Sequence, residues 1–152
     1  HGVASLPRVE RPGVILTVLA GTAYGEQSPV DVFAPTLYVD ARLADEAVLE
    51  VPDEHVQRAC YVAQGRIEIA GQAYGEGQFI VLASAAGPVS MRALETARVM
   101  LAGGAPLDGP RHLYWNFVSS TRERIEVARR DWRERKFAPV PGDADRIPLP
   151  DE

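Results

Sequence analysis

The sequence predicts an all-β fold, an antiparallel barrel or sandwich that is followed by one C-terminal α-helix and an extended, proline-rich tail. The first observation behind this prediction is a series of short apolar or alternating runs, separated by segments rich in Gly, Ala and Pro, which is typical of antiparallel sandwiches and barrels. The second is a single helical pattern near the C-terminus, ahead of Pro139 and Pro141, which cannot continue a helix. With 152 residues, 46% of them hydrophobic, the chain is long enough for one domain, residues 1–152, with its own core.

Each predicted strand is short and carries its apolar residues either at every second position or in a continuous run. Ile67 and Ile69, for example, fall on one face of their strand, and charged residues fall on the other. A tight turn at Gly65 separates this strand from the one before it. The predicted strands are residues 14–19, 36–43, 48–51, 60–63, 66–70, 78–82, 89–93 and 98–101. The barrel is therefore predicted to run from about residue 13 to residue 118.

The helix is predicted over about residues 121–136. Ser120 and Glu123 form a capping box at its start, because each side chain can satisfy a backbone N–H group that lacks a helical partner. Three apolar residues share one face at a spacing of i, i+3 and i+7: Ile125, Ala128 and Trp132. This stripe is predicted to pack on the barrel and to bury most of Trp132. The tail, residues 137–152, is predicted to be extended and to cover an edge or a partner surface.

Composition and charge exclude several classes of function. The formal net charge is −5, which disfavours binding to a phosphate backbone, although residues 122–136 carry seven basic and four acidic side chains. No apolar run approaches the roughly 20 residues that a membrane span needs, and the residues after His1 lack the layout of a signal peptide. Cys60 is the only cysteine, so we expect no internal disulfide and no cysteine-based zinc site, and a cytoplasmic location is predicted.

Three stretches carry a family resemblance. Residues 61–69 read YVAQGRIEI and look like the strand–Gly–strand core of a first cupin motif, residues 107–120 contain GPRHLYWNF, and residues 137–150 form a proline-rich close. Together they resemble the C-terminal half of the pirin family, a group of two-domain cupin proteins. The resemblance implies a cupin-type jelly roll. It also implies that this chain is one half of a bicupin, whose metal-bearing N-terminal half is absent from this sequence.

The same resemblance identifies where metal ligands would stand. A metal-binding cupin uses a His-x-His pair and a Glu from the first motif, with a His from the second, to hold a divalent metal such as iron. The family spacing places the first three at Val51, Asp53 and Arg58, and no His lies near residues 87–89. His55 is predicted to be a surface residue beside a turn. We therefore expect no cofactor in this chain, and iron or another divalent metal only in the N-terminal half.

Two other groups of residues are candidates for a catalytic or a nucleotide-binding site, and the sequence gives them little support. Ser119, His112 and Asp108 have the residue types of a hydrolytic triad but lack a nucleophile elbow and a placed oxyanion hole. The glycines at positions 71, 75 and 77 do not form a phosphate-binding loop before a helix. The candidate interface or pocket consists of Arg111, His112, Tyr114, Trp115, Asn116 and Phe117. Its aromatic residues either fill a core or domain interface or stack on a planar ligand, and its His and Asn are predicted to satisfy buried backbone groups.

Three functions are compatible with the sequence. In the first, the chain is a non-catalytic C-terminal cupin domain that supports a metal-bearing half; pirin-like proteins are associated with quercetin 2,3-dioxygenase activity, which would belong to the complete bicupin and not to this chain alone. In the second, it is a protein-interaction module of a pirin-type transcriptional co-regulator. In the third, it is a stand-alone cupin that binds a small apolar ligand. The expected partners are a metal-bearing cupin half, a second copy of the chain or another protein. Neither nucleic acid nor a membrane is expected as a partner. The surface that contacts the partner is predicted at residues 14–19, residues 111–118 and the tail.

Overall fold

The chain divides into two units, His1–Pro106 and Leu107–Glu152, each with its own internal packing. The structure is a computed structural model that describes residues 5–83, 87–143, 145 and 147–150. Within those residues the first unit is built from β-strands, and the second contains a two-stranded hairpin and one helix. None of the described residues belongs to a helix with the length and apolar character needed to cross a membrane.

The strands of the first unit form two antiparallel sheets. In chain order they are β1 (Arg8–Arg11), β2 (Val14–Ala23), β3 (Glu26–Gln27), β4 (Thr36–Leu43), β5 (Val48–Val51), β6 (Gln57–Gln64), β7 (Arg66–Ile69), β8 (Gln72–Gly75), β9 (Phe79–Leu82), β10 (Val89–Ala93) and β11 (Ala97–Gly104). The larger sheet has the order β1-β2-β4-β11-β6-β9, with β3 paired to β2, and the smaller sheet has the order β5-β10-β7-β8. β9 is thus an edge strand of the larger sheet.

The core lies between the two sheets, because alternate residues of each strand point to the same side. The larger sheet contributes fully buried Leu16 and Leu101, and the smaller sheet contributes Ile67 and Met91. These antiparallel sheets confirm the predicted all-β fold. Every second residue of the run 14–19 is buried in the core and the residues between them are partly exposed, so a contact surface at this run stays a prediction.

Gly65 stands where the chain passes from one sheet to the other. The predicted turn is present, with φ of 76° at Gly65, a backbone conformation that favours glycine. A Cβ atom here would also lie 2.4 Å from the carbonyl oxygen of Thr96. The strands on either side do not pair with each other, however, because β6 pairs with β9 and β11, whereas β7 pairs with β8 and β10. The turn is therefore a corner between the sheets.

The second unit begins with a hairpin of β12 (His112–Tyr114) and β13 (Phe117–Ser119). We predicted that these residues extend the barrel to residue 118, but they pair only with each other among the described strands. Trp115 occupies the hairpin turn with φ of 52°. A bulky residue rarely adopts this conformation, so no turn could be predicted here from residue types. That residues 1–152 act as one domain stays a prediction.

The helix α1 (Arg122–Arg133) is shorter than predicted at both ends. Its N-cap is Thr121, whose side-chain oxygen accepts a hydrogen bond from the backbone N–H of Arg124, so the predicted capping box at Ser120 is wrong. At the other end, Arg135 adopts φ of 58°. Its N–H donates to the carbonyl of Trp132, and the N–H of Lys136 donates to that of Asp131. This pair of bonds is a Schellman motif, which ends the helix before any proline is reached.

Candidate functional site

Arg58 is a buried cation inside the first unit. Only 2% of the residue is exposed, because its position in β6 directs it toward the core. Its terminal nitrogens donate to four backbone carbonyl oxygens: those of Val51 (3.4 Å), Pro52 (2.9 Å), Ala83 (3.3 Å) and Gly87 (2.9 Å). Nε has no hydrogen-bond partner among the described residues. The guanidinium thus joins the end of β5 to the segment between β9 and β10.

The structure brings two of the three expected ligand positions together. Val51 and Arg58 are in contact through the hydrogen bond to the Val51 carbonyl, while Asp53 is exposed. His55 is buried, and its Nε2 lies 2.9 Å from the carbonyl oxygen of Thr22. The prediction of a surface histidine is therefore wrong, because a backbone group 33 residues away in sequence holds the ring inside the unit.

These residues do not fit a metal ion. The Val51 side chain offers no lone pair, and the Arg58 guanidinium would add a positive charge beside the cation. In the described part of the chain, no group of three or more His, Cys, Asp or Glu side chains is placed to hold a metal. In this arrangement, four backbone carbonyl oxygens surround the guanidinium of Arg58, a cation that belongs to the chain itself.

An apolar surface, which we call the outer face, lies on the opposite side of the larger sheet. It consists of Tyr38, Ala59, Tyr61, Phe79, Val81 and Ala102. Tyr61 stands opposite Phe79, and Ala59 opposite Val81, in the register of β6 and β9. Phe79 is 62% exposed and Val81 76% exposed. A groove of about 560 Å³ is lined by Ala59, Phe79, Val81 and Ala102 of this surface, and by neighbouring residues that include Val56 and Arg58.

The outer face ends at an ion pair on the same side of the sheet. Arg98 donates from two nitrogens to the two carboxylate oxygens of Asp40, at 2.9 and 2.8 Å. These hydrogen bonds raise the pKa of Arg98 further above its ordinary value. A bidentate pair of this kind holds both side chains in one geometry, so the apolar surface has a fixed polar border.

The sequence did not reveal the outer face. The run of β9 reads Phe-Ile-Val-Leu, which is apolar at every position and therefore does not show which residues point outward. The signal that could have identified it is the edge position of β9, and this depends on the strand order and not on local sequence.

The three residue types of a hydrolytic triad, for which the sequence gives little support, do not assemble in the second unit. His112 stands opposite Ser119 in the hairpin register, but the hydroxyl of Ser119 accepts a hydrogen bond from the backbone of Thr121. The carboxylate of Asp108 accepts a hydrogen bond from Arg111, which lowers the pKa of Asp108 below its usual range. The acid is thus paired with a guanidinium and not with the imidazole.

The remaining candidate residues separate into two surfaces. Arg111, His112 and Tyr114 line a groove of about 390 Å³ beside α1. Asn116 is exposed at the hairpin turn, so the prediction that it satisfies buried backbone groups is wrong. The aromatic cluster is built from Trp115, Phe117, Trp132 and Phe137, with ring centroids 5.2–6.1 Å apart.

Trp132 is partly buried, which agrees with the prediction that most of this residue is covered. Its ring packs edge-on against Trp115 and Phe117, an arrangement that aromatic pairs prefer. Ile125 is the fully buried member of the stripe.

Comparison with known proteins gives a consistent result. The family model of the pirin C-terminal cupin domain matches residues 38–138. A pirin-like protein of Caulobacter vibrioides is 41% identical over 152 residues, which are 99% of this chain and 52% of that protein. A pirin-like protein of Solanum lycopersicum is 28% identical over 84% of this chain and 46% of its own length. The chain thus spans about half the length of these curated relatives.

A solved structure shows the same fold. The crystal structure of a quercetin 2,3-dioxygenase from Acinetobacter baumannii matches with a TM-score of 0.85 and 28% sequence identity. The match covers 97% of this chain and 50% of that chain. The jelly-roll arrangement predicted from the sequence is therefore confirmed by a related structure.

Proposed function

Because the chain belongs to the pirin family, whose C-terminal cupin domain it contains, we propose that it is the non-catalytic half of a pirin-like bicupin. In this role it supports a metal-bearing N-terminal half. Iron or another divalent metal belongs to that other half, and this chain alone is not an enzyme. The complete protein is proposed to act as a metal-dependent quercetin 2,3-dioxygenase.

The observation that carries this proposal is the buried guanidinium of Arg58. It stands at a position where the family spacing expects a metal ligand, and its donors are directed at four backbone carbonyls. A fixed cation at this place supports a structural task, because it opposes the binding of a second cation. Val51 offers no ligand atom beside it.

The outer face supports the second part of the proposal, docking to another cupin half. Contiguous exposed apolar surfaces usually mark a contact with another protein, and Phe79 and Val81 lie on an edge strand. The curated relatives are about twice as long as this chain, so a second half is a natural occupant. We therefore propose that the other half covers the outer face.

A mixing experiment tests this proposal. The partner is the part of the C. vibrioides pirin-like protein that the match leaves uncovered, produced separately and loaded with iron. We expect sedimentation to show a one-to-one complex, and we expect quercetin consumption by the mixture to exceed that of either chain. Failure of the two chains to associate at micromolar concentrations would overturn the supporting role.

Two substitutions of the same residue type locate the contact. Val81→Asp places a charge on the outer face and should weaken the complex at least about tenfold, because an unpaired charge is costly to bury. Val48→Asp is the matched control, since Val48 is 56% exposed but lies in β5 of the smaller sheet. Equal effects of the two changes would contradict the assignment of the outer face.

A second candidate function, a protein-interaction module of a transcriptional co-regulator, is favoured by the hairpin. Leu113 is 73% exposed and Val118 60% exposed, which suits a protein contact better than contact with nucleic acid. The formal net charge of −5 also disfavours contact with nucleic acid.

Binding of a small apolar ligand has less support, because large side chains such as Leu16 and Met91 occupy the core. A cytoplasmic location remains a prediction that rests on the single, buried Cys60.

A further inference from the structure

Two aromatic side chains of the second unit hold the tail by its backbone. The indole Nε1–H of Trp132, in α1, donates to the carbonyl oxygen of Ile147 at 2.9 Å. The hydroxyl of Tyr114, in β12, donates to the carbonyl oxygen of Pro150 at 3.1 Å. The two donors thus bind carbonyls that are three residues apart in the tail.

The tail segment is restricted to an extended conformation by its sequence. Pro148 and Pro150 fix their own φ angles near −65°, and Ile147 and Leu149 each precede a proline, which disfavours the helical region for them. The segment accordingly has no regular helix or strand. A chain confined in this way approaches polyproline II, which has three residues per turn, so the carbonyls of residues 147 and 150 lie on the same side.

The two donors are held firmly in place by their own neighbours. The guanidinium of Arg129 lies 4.3 Å from the ring centroid of Tyr114, and Trp132 is packed against Trp115 and Phe137 in the aromatic cluster. Proline has no N–H group, so a segment in which every second residue is proline is recognised mainly through its carbonyls and its apolar side chains. Rigid aromatic side chains that donate to those carbonyls meet this requirement.

We propose that Tyr114 and Trp132 form a recognition site for a proline-rich extended segment of a partner protein. The chain's own residues 147–150 occupy this site in the same molecule. The partner segment has the form apolar–Pro–apolar–Pro, as in the tail. This inference concerns the second unit and does not depend on the supporting role proposed for the first.

The tail is held weakly enough in this site for a partner segment to displace it. Ile147 is 67% exposed, and Pro148 and Pro150 are exposed as well, so the segment buries little surface when it binds. Its attachment through residues 137–146 gives it a local concentration in the millimolar range. A partner segment must compete with that concentration, which lowers its apparent affinity on the order of tenfold. Loss or displacement of the tail therefore opens the site.

The test uses a peptide of the chain's own residues 145–150, titrated into the full chain and into a variant that ends at Asp143. The readout is the NMR signal of the Trp132 indole N–H, assigned with Trp132→Phe. We expect saturable binding to the shortened chain and binding at least about tenfold weaker to the full chain. Tyr114→Phe in the shortened chain should weaken binding at least about fivefold, whereas Tyr38→Phe, in the first unit, should leave it unchanged.

A second peptide, with alanine in place of both prolines, tests whether proline is recognised. It should bind at least about tenfold more weakly than the first. Equal binding of the two peptides, or no binding to the shortened chain at millimolar peptide, would overturn the proposal.

A measurement on the full chain covers the case in which the shortened variant does not fold. The double substitution Pro148→Ala and Pro150→Ala should release the tail and speed hydrogen exchange of the Trp132 indole N–H at least about tenfold. Signals of the first unit should not change. An unchanged exchange rate would show that the prolines do not hold the tail, and it would overturn the proposal independently.

Discussion

The guanidinium of Arg58 donates a hydrogen bond of 2.9 Å to the carbonyl oxygen of Gly87, 29 residues further along the chain. The same side chain reaches back to the carbonyl of Pro52, also at 2.9 Å. One buried arginine thus connects two segments that belong to different parts of the sequence. Its removal leaves the buried carbonyl of Val51 and the partly buried carbonyls of Pro52 and Gly87 without this donor.

Arg58→Met should therefore destabilise the protein by about 3–5 kcal/mol, because buried polar groups left without partners each cost about 1–3 kcal/mol. Arg58→Lys keeps the charge and some donors, so it should cost clearly less. Urea denaturation followed by circular dichroism measures both. If the Met variant were as stable as the parent, the guanidinium would have no structural importance.

The purified chain, incubated with ferrous iron and desalted, should retain far less than one equivalent of metal. The reason is that Val51 and Arg58 stand where ligands are needed and that His55 is hydrogen-bonded to a backbone carbonyl. Elemental analysis gives the stoichiometry. Near-stoichiometric iron that disappears in His55→Ala would contradict the assignment of the metal to the other half.

Thr121→Ala should lower the free energy of unfolding by about 1 kcal/mol, because Thr121 supplies the N-cap oxygen of α1. Ser120→Ala is the matched control and should have an effect below about 0.5 kcal/mol. Chemical denaturation distinguishes the two. A larger effect for Ser120→Ala would restore the capping box expected from the sequence.

Stability should decrease as the pH is raised above about 9. Burial raises the pKa of the Cys60 thiol from 9.0 to about 12. Between these values the unfolded chain loses the proton while the folded chain keeps it, so the free energy of unfolding falls by at most about 1.4 kcal/mol per pH unit for this group. Cys60→Ala should reduce this slope in urea titrations between pH 8 and 11, and an unchanged slope would show that another group is responsible.

Gly103→Ala should destabilise the first unit by about 3 kcal/mol or more, since the new Cβ would lie 2.1 Å from the backbone carbonyl oxygen of Gln57 and β11 would have to move. Gly109→Ala is the control, because no atom lies within 4 Å of a Cβ built there. Thermal unfolding compares the two variants. Similar melting temperatures would mean that β6 and β11 can separate without cost.

The sequence predicts the sheets well because they depend on local patterns. Ile67 and Ile69 alternate with charged residues and are buried as expected. The family resemblance placed Val51 and Arg58 at expected ligand positions, and a hydrogen bond joins these two residues in the structure. The burial pattern needed only period-two alternation, whereas the ligand positions needed the resemblance to a known family.

The features that the sequence did not predict depend on partners that are distant in the chain or on atypical turns. His55 is buried because of Thr22, 33 residues earlier. The hairpin turns at Trp115 in a conformation that aromatic residues rarely adopt. Ser120 and Thr121 are both suitable capping residues by type, and Ser is the more common of the two, so the sequence favours the wrong residue and only the three-dimensional structure identifies Thr121.

The buried cation of the first unit is a side chain, so its charge is present as soon as the chain has been synthesised. A metal ion can be withdrawn by a chelator or exchanged for a competing ion, whereas the positive charge of Arg58 is covalently part of the chain. The donors to Pro52 and Gly87 are complete as soon as the polypeptide folds. The hydrogen bonds that Arg58 makes therefore form without any ion from solution.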